Sequence, residues 1–182
     1  MREKDGKNFT MISRLNHWGI AVFFLAMLGF GFYLAFGDIP RADKGPLMGL
    51  HKALGVVFLA FASWRVIWRL AQGFPKDIAI MPNWQSLAAK ATHWALLAAV
   101  IIMPVSGVLM SIFSGRAVNV FDIVTIPAQP KNEAIQFAAH NMHEIAPYII
   151  AALILLHAAA AVKHHAIDKD ATLKRMLTRI EG

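Results

Sequence analysis

Residues 140–165, HNMHEIAPYIIAALILLHAAAAVKHH, constrain this chain more than any other stretch. The run is apolar and long enough to cross a bilayer as a helix, for which about 20 residues are needed. It nevertheless carries His143, His157 and His164, spaced by fourteen and then seven residues. At about 100° per residue, fourteen steps drift by about 40° and seven by about 20°, so the three imidazoles share one helix face. His143 and His157 stand about 21 Å apart along the axis, most of a hydrocarbon core about 30 Å thick. A fold built around this segment must place two imidazoles at two membrane depths, both facing the same way. If the rest of the chain supplies partners at both depths, it holds two metal centres in series.

The composition agrees with a membrane protein. At 182 residues, 57% hydrophobic and with a mean hydropathy of +0.50, the chain reads as a single membrane-embedded domain over 1–182, too apolar for a soluble one. The absence of cysteine excludes disulfides, iron–sulfur clusters, thiolate ligation and c-type haem attachment. The formal net charge of +7 lies beside apolar spans, which fits the positive-inside rule and not a nucleic-acid groove. The N-terminus, MREKDGKNFTM, is polar and runs into an apolar stretch too long for a signal-peptide core.

Four spans are expected, at about 13–36, 46–70, 87–113 and 141–165. The first has His17 less than two turns inside its entry, Arg14 one turn before, and Gly29 and Gly31 allowing close packing further along. The second has His51 near its start and Arg65 fourteen residues on. Gly55, one turn after His51, is expected to leave a flat hollow beside the imidazole. The third carries His93 near its entry and Pro104 inside, a kink that neighbouring helices can satisfy. The longest loop, SGRAVNVFDIVTIPAQPKNEAIQFA, is expected to hold a short interfacial helix, with His140 solvated in the loop that leads into the fourth span. The tail AIDKDATLKRMLTRIEG reads as a short basic amphipathic ending.

Charge sets the orientation. Of the eighteen Lys and Arg, only Arg41, Lys44, Lys52, Arg116 and Lys131 fall on the side of the first and third loops. The rest, beginning with Arg2, Lys4 and Lys7, flank the N-terminus, the second loop and the tail, so both termini are expected in the cytoplasm. Helices one and three then start inside, and two and four outside. His17 comes to the depth of His157 near the inner surface, and His51 to that of His143 near the outer one. An interhelical hydrogen bond accounts equally well for any one such histidine taken alone. Two depth-matched pairs in a bundle point to cofactor ligation instead. Zinc would want three or four clustered ligands, often with a carboxylate, and the spans offer little besides Glu144. Two imidazoles approaching from opposite sides suit a planar haem closed at both axial positions. His93 shares the inner depth, and the residues leave both ligation and hydrogen bonding open to it. His164, a heptad beyond His157 at the inner interface, is placed to exchange a proton.

The residues His17–Trp18, PRADKGPLMGLHKALG, Arg65 and Arg69, the stretch from His93 to Pro104, His143–Glu144 and the terminal LHAAAAVKHH resemble the bacterial cytochrome b561 family over essentially the whole chain. The resemblance implies an all-α, four-helix membrane bundle with both termini inside and two non-covalent haems b between the helices. Its implied ligands are His17 and His157 for the inner haem and His51 and His143 for the outer one, with His93 not a ligand. It further implies a multi-pass place in the bacterial inner membrane, among lipid, with ubiquinone as substrate or bound cofactor. PRADK and LHAAAAVKHH most resemble the superoxide-oxidising branch, which takes electrons from superoxide outside and reduces ubiquinone inside. On this reading His164 and Arg14 line the quinone site, Arg65 meets a propionate of the inner haem, and Arg41, Lys44 and Lys52 steer superoxide. Two other functions remain open. One is a quinol-oxidising cytochrome b that serves a periplasmic redox carrier; the other is a non-enzymatic protein handling metal ions or protons.

Overall fold

The computed structural model describes residues 3, 6, 8–79 and 81–180. Arg2, Lys4 and Lys7, counted above with the N-terminal charge, lie outside the described residues. Four long helices, α1 (Met11–Phe36), α2 (Arg41–Gln72), α3 (Asn83–Ile112) and α4 (Glu133–Ala166), are each long and apolar enough to span a bilayer. Successive helices pack on one another, and α1 closes on α4 through side chains such as Phe32 and Tyr148, whose rings lie 5.5 Å apart. The chain is an all-α membrane bundle.

The helices overrun the apolar spans because hydropathy marks where the membrane is, while capping marks where a helix stops. The Asn132 carboxamide oxygen accepts from the Ile135 amide at 3.1 Å and starts α4 well before the apolar run. His140 is therefore a helical residue, exposed on α4 and 3.4 Å from Glu144 one turn on, and not part of a loop. In α2 the helix begins at Arg41, so Pro46 is internal and does not start it. Thr10 caps α1 by accepting from the Ser13 amide.

The longest loop holds no interfacial helix. It forms a hairpin, β1 (Val118–Val120) antiparallel to β2 (Val124–Ile126), with Val118 and Val120 buried and β1 packed on α2. Phe121 and Asp122 both take positive φ, the backbone needed at the centre of a tight hairpin turn. The Asn119 carboxamide closes that turn through two 2.8 Å bonds to Asp122.

At the opposite end, the tail folds back over the bundle. The Asn8 side chain makes two hydrogen bonds to the backbone of Ile180, Arg14 donates to the Leu177 carbonyl, and Trp18 donates to that of Met176. A short helix, α5 (Lys174–Leu177), lies within this tail. Beneath it, Glu3 and Arg69 form an ion pair at 3.0 Å, their side chains only 1% and 4% exposed. Burial pushes the Glu3 carboxyl up, but hydrogen bonds from Thr10 and Ser13 and the charge of Arg69 outweigh it and hold it below its ordinary value.

Removing one partner leaves the other charge buried, so Glu3→Ala is expected to cost about 3 kcal/mol at neutral pH. Because the folded pKa is depressed, this contribution is present above the ordinary carboxylate pKa and fades as pH falls through the folded value. Thermal unfolding of wild type and variant in detergent checks it, with the two curves converging in acid.

Candidate functional site

The two histidine pairs meet on two levels. At the outer level, where α1 ends and α2 begins, the rings of His51 and His143 have centroids 6.3 Å apart and planes at 83°. At the inner level, beside the termini, His17 and His157 are 6.2 Å apart at 69°. A metal–imidazole bond of about 2 Å and about 1.1 Å from nitrogen to ring centre put two opposed axial imidazoles about 6.2 Å apart. Both pairs match that spacing.

The outer level also carries the marks of a ligand site. Nδ1 of His143 lies 3.0 Å from the Met103 carbonyl and 3.0 Å from Ser106 Oγ, and the hydroxyl itself donates to Met103 at 2.8 Å. A carbonyl can only accept, so Nδ1 carries the proton and Nε2 keeps its lone pair for a metal. Among the described residues, Nδ1 of His51 is buried with no hydrogen-bond partner, so no interhelical bond through that atom accounts for it. Glycine stands beside both rings, and beside His143 it is required. A Cβ on Gly107 would sit 2.8 Å from His143 Cε1, and one on Gly31 3.5 Å from His51 Cε1. Gly55 leaves the expected hollow beside His51: a Cβ there would meet only the Met27 methyl, at 3.9 Å. Gly29 faces open space. An apolar cavity of about 410 Å³ extends from His51 and His143 along Met27, Gly55 and Pro104 to Lys52 and Glu144. Its volume falls within the usual range of about 300–1,000 Å³ for small-molecule sites.

At the inner level, Arg65 Nη2 lies 3.2 Å from His17 Nδ1, and Nη1 donates to the Asn16 carboxamide at 3.2 Å. A guanidinium has no acceptor, so Nδ1 of His17 accepts here and Nε2 holds the proton. His93 completes this level. Its centroid is 5.4 Å from that of His157, closer than two opposed axial ligands, and Phe74 stacks on its ring at 5.8 Å and 16°. Among the described residues, the one group of three His and carboxylate side chains tight enough for a metal ion is His164, Asp168 and Asp170, which lies apart from both pairs. The pairs are thus not zinc-like clusters.

The heptad of α4 recurs on every helix. His17, Phe24 and Gly31 follow it on α1, His51, Phe58 and Arg65 on α2, and His93, Val100 and Gly107 on α3. Antiparallel packing turns these into three layers. Gly31, His51, Gly107 and His143 form the outer one, and His17, Arg65, His93 and His157 the inner one. Between them Phe24, Phe58, Val100 and Ile150 belong to the buried core, with Phe24 stacked on Phe58 at 5.2 Å and 11°. The glycines' part in this pattern was readable in the sequence as a heptad offset from His93 and Phe24. Ser106 and Asp170 carried no such signal, because they act across helices or through a turn.

The remaining expected residues are scattered. Lys52 Nζ donates to Ser111 Oγ at 2.9 Å and lines the outer cavity. Arg41 and Lys44 are exposed on the first turns of α2, which runs on as helix and does not fold over the site; they stand about 16 and 12 Å from Lys52 along the axis. Arg14 is committed to Leu177, and His164 to Asp170 at 2.6 Å.

A family model described as prokaryotic cytochrome b561 matches residues 8–179. Cytochrome b561 homolog 2 of Escherichia coli is 30% identical over 172 residues, 94% of this chain and 92% of its own. Cytochrome b561 homolog 1 of the same organism is 29% identical over 165 residues, 90% of this chain and 93% of its own. A probable superoxide oxidase of Yersinia pestis is 24% identical over 166 residues, 91% of this chain and 93% of its own.

Proposed function

Because the chain belongs to the prokaryotic cytochrome b561 family of membrane electron-transfer proteins, we propose that it binds two haems b and carries electrons from superoxide outside to ubiquinone inside. The observation that carries this reading is the pair of imidazole pairs, 6.2 and 6.3 Å across, stacked on two levels of one bundle. Bound haem would supply one-electron relays between the two ends of the bundle.

The chain's own residues do the rest. His51 and His143 hold the outer haem, and Ser106 with the Met103 carbonyl presets the His143 tautomer for it. His17 and His157 hold the inner one. Ligation through Nε2 requires the His17 proton to sit on Nδ1, which Arg65 then no longer faces as a donor; a propionate carboxylate is the acceptor that suits the freed guanidinium. Two superoxide anions give up one electron each and leave as dioxygen. Ubiquinone takes the two electrons and two protons near His164 and Arg14, at the end carrying both termini. The distribution of Lys and Arg supports a cytoplasmic place for this end, and membership of a prokaryotic family supports the inner membrane.

The likeness to the Yersinia protein and the amine of Lys52 beside His51 support superoxide as the donor. A cation in an apolar cleft raises the arrival rate of a small anion by 10-fold or more, steeply dependent on salt. Arg41 and Lys44, more than the roughly 10 Å screening length away, contribute less. Haem reduction by pulsed superoxide is therefore expected to be fast and to slow with added salt. Lys52→Gln lowers the rate severalfold, while Arg41→Ala and Lys44→Ala change it little. A slow rate indifferent to salt and to Lys52 would instead favour quinol oxidation feeding a periplasmic carrier.

A further inference from the structure

His164 does not stand free at the end of α4. Its Nδ1 lies 2.6 Å from Asp170 Oδ2 and 3.2 Å from Asp168 Oδ2, and its ring is 16% exposed. The two carboxylates are not equivalent. Asp168 is already engaged by the Lys163 ammonium at 2.6 Å, so the nearest cation there is supplied by the chain itself. Asp170 is built into a turn. Its Oδ1 accepts from the Thr172 amide at 2.8 Å, and its own amide donates to the His164 carbonyl at 3.0 Å. Burial pushes the Asp170 carboxyl up, but Thr172 and His164 outweigh it and hold it below its ordinary value, so it stands as an anion.

The backbone between the two acids has been bent to achieve this. Lys169 takes φ 54°, a left-handed conformation disfavoured because it crowds Cβ against the backbone carbonyl. The reversal there brings Asp170 back under the imidazole. The segment that follows is tied to the other end of the bundle: Met176 and Leu177 accept from Trp18 and Arg14, the residues flanking His17 on α1. The tail thus spans from His164 to the entry of α1, with Asp170 at the centre of the span.

We propose that Asp170 is a positioning residue for proton delivery to the quinone, holding His164 by its Nδ1–H so that Nε2 is the nitrogen presented to the substrate. The inference rests on the reading that quinone is reduced at this end. A carboxylate can only accept, so Nδ1 keeps its proton throughout. The quinone takes two electrons from the reduced haems and two protons. Each proton leaves Nε2 of a doubly protonated His164 for a quinone oxygen, and Nε2 regains one from water on the same side. Asp170 itself neither gains nor loses a proton. In Asp170→Asn the carboxamide can turn its NH2 toward Nδ1, which then accepts, and the proton moves to Nε2 in the neutral ring. The nitrogen facing the quinone is then protonated in the resting ring, and the nearer anion that balances the imidazolium is gone, leaving only Asp168, which Lys163 already engages.

The test uses holoprotein with both haems reduced chemically and the excess reductant removed, mixed in stopped flow with a short-chain ubiquinone. Haem reoxidation is followed, so the outer electron donor plays no part. Asp170→Asn is expected to lower the maximal reoxidation rate about 10-fold, a part of the 10²–10⁴ that general acid catalysis contributes. The quinone concentration for half-maximal rate and both haem spectra should stay as in the wild type. Asp170→Glu, which restores a carboxylate, should recover much of the rate. In a His164→Ala background, Asp170→Asn should change nothing further, because the two act as one unit. Asp170→Ser is the second variant, with the same expectation, should the Asn protein not accumulate. A wild-type rate in Asp170→Asn beside a slow His164→Ala overturns the positioning role and leaves the quinone reading intact. A further loss on the His164→Ala background overturns it too, by showing that Asp170 acts through the fold of the tail. A wild-type rate in His164→Ala itself overturns the underlying reading of the quinone site.

Discussion

Replacing His143 by Ala is expected to leave the purified protein with one haem in place of two. The ring it removes is one side of the 6.3 Å pair with His51. It is also the ring whose tautomer Met103 and Ser106 set, a preparation that His140, one turn away on the same cavity, does not share. The bundle should survive, because its buried core lies between the two levels and not at either. Gly107→Val is expected to act in the same direction without touching a ligand. Even a single Cβ there comes within 2.8 Å of His143 Cε1, and the ring, held at Nδ1, cannot swing aside without giving up its hydrogen bonds. Pyridine haemochrome content per chain, with the oxidised and dithionite-reduced spectra, measures both. Two haems per chain in His143→Ala would show that the outer pair is not the ligand set.

Replacing His157 by Ala removes the opposite haem and is expected to take quinone reduction to background. The outer haem should still be reduced at the wild-type rate by an outer donor. The level where His157 stood lies about 21 Å from that of His143 along α4, with a layer of Phe24, Phe58, Val100 and Ile150 in between, so electrons accepted outside would have no relay to the inner end. Separating the two half-reactions in this way is diagnostic of relays in series. His93→Ala is the matched control, expected to retain both haems, because His93 stands only 5.4 Å from His157 and stacks on Phe74. Loss of the inner haem in that variant, and not in His17→Ala, would reassign the ligand.

Four helices and the levels of their histidines are legible in the sequence for a simple reason. Helical rise and periodicity are local and the bilayer has a fixed thickness, so a residue's depth and face follow from its position in the span. The charge of the loops adds direction, and with direction the partners across the bundle. That reasoning reaches His17, His51, His143 and His157, and it could have reached Gly31 and Gly107 by the same heptad. It also reached Gly55, which lines the outer cavity together with His51. It misplaced His140 in a loop, because the start of α4 answers to capping by Asn132 and not to hydropathy.

The tertiary structure alone decides what joins residues that no local period relates. Asn8 and Ile180 are 172 positions apart and make two hydrogen bonds. The hairpin at Phe121 and the reversal at Lys169 depend on positive φ at residues that do not ordinarily favour it, so the surrounding contacts select them. The carboxylate beneath His164 is one such outcome. Helix geometry places the imidazole on the inner rim, and the fold of the tail places Asp170 against it.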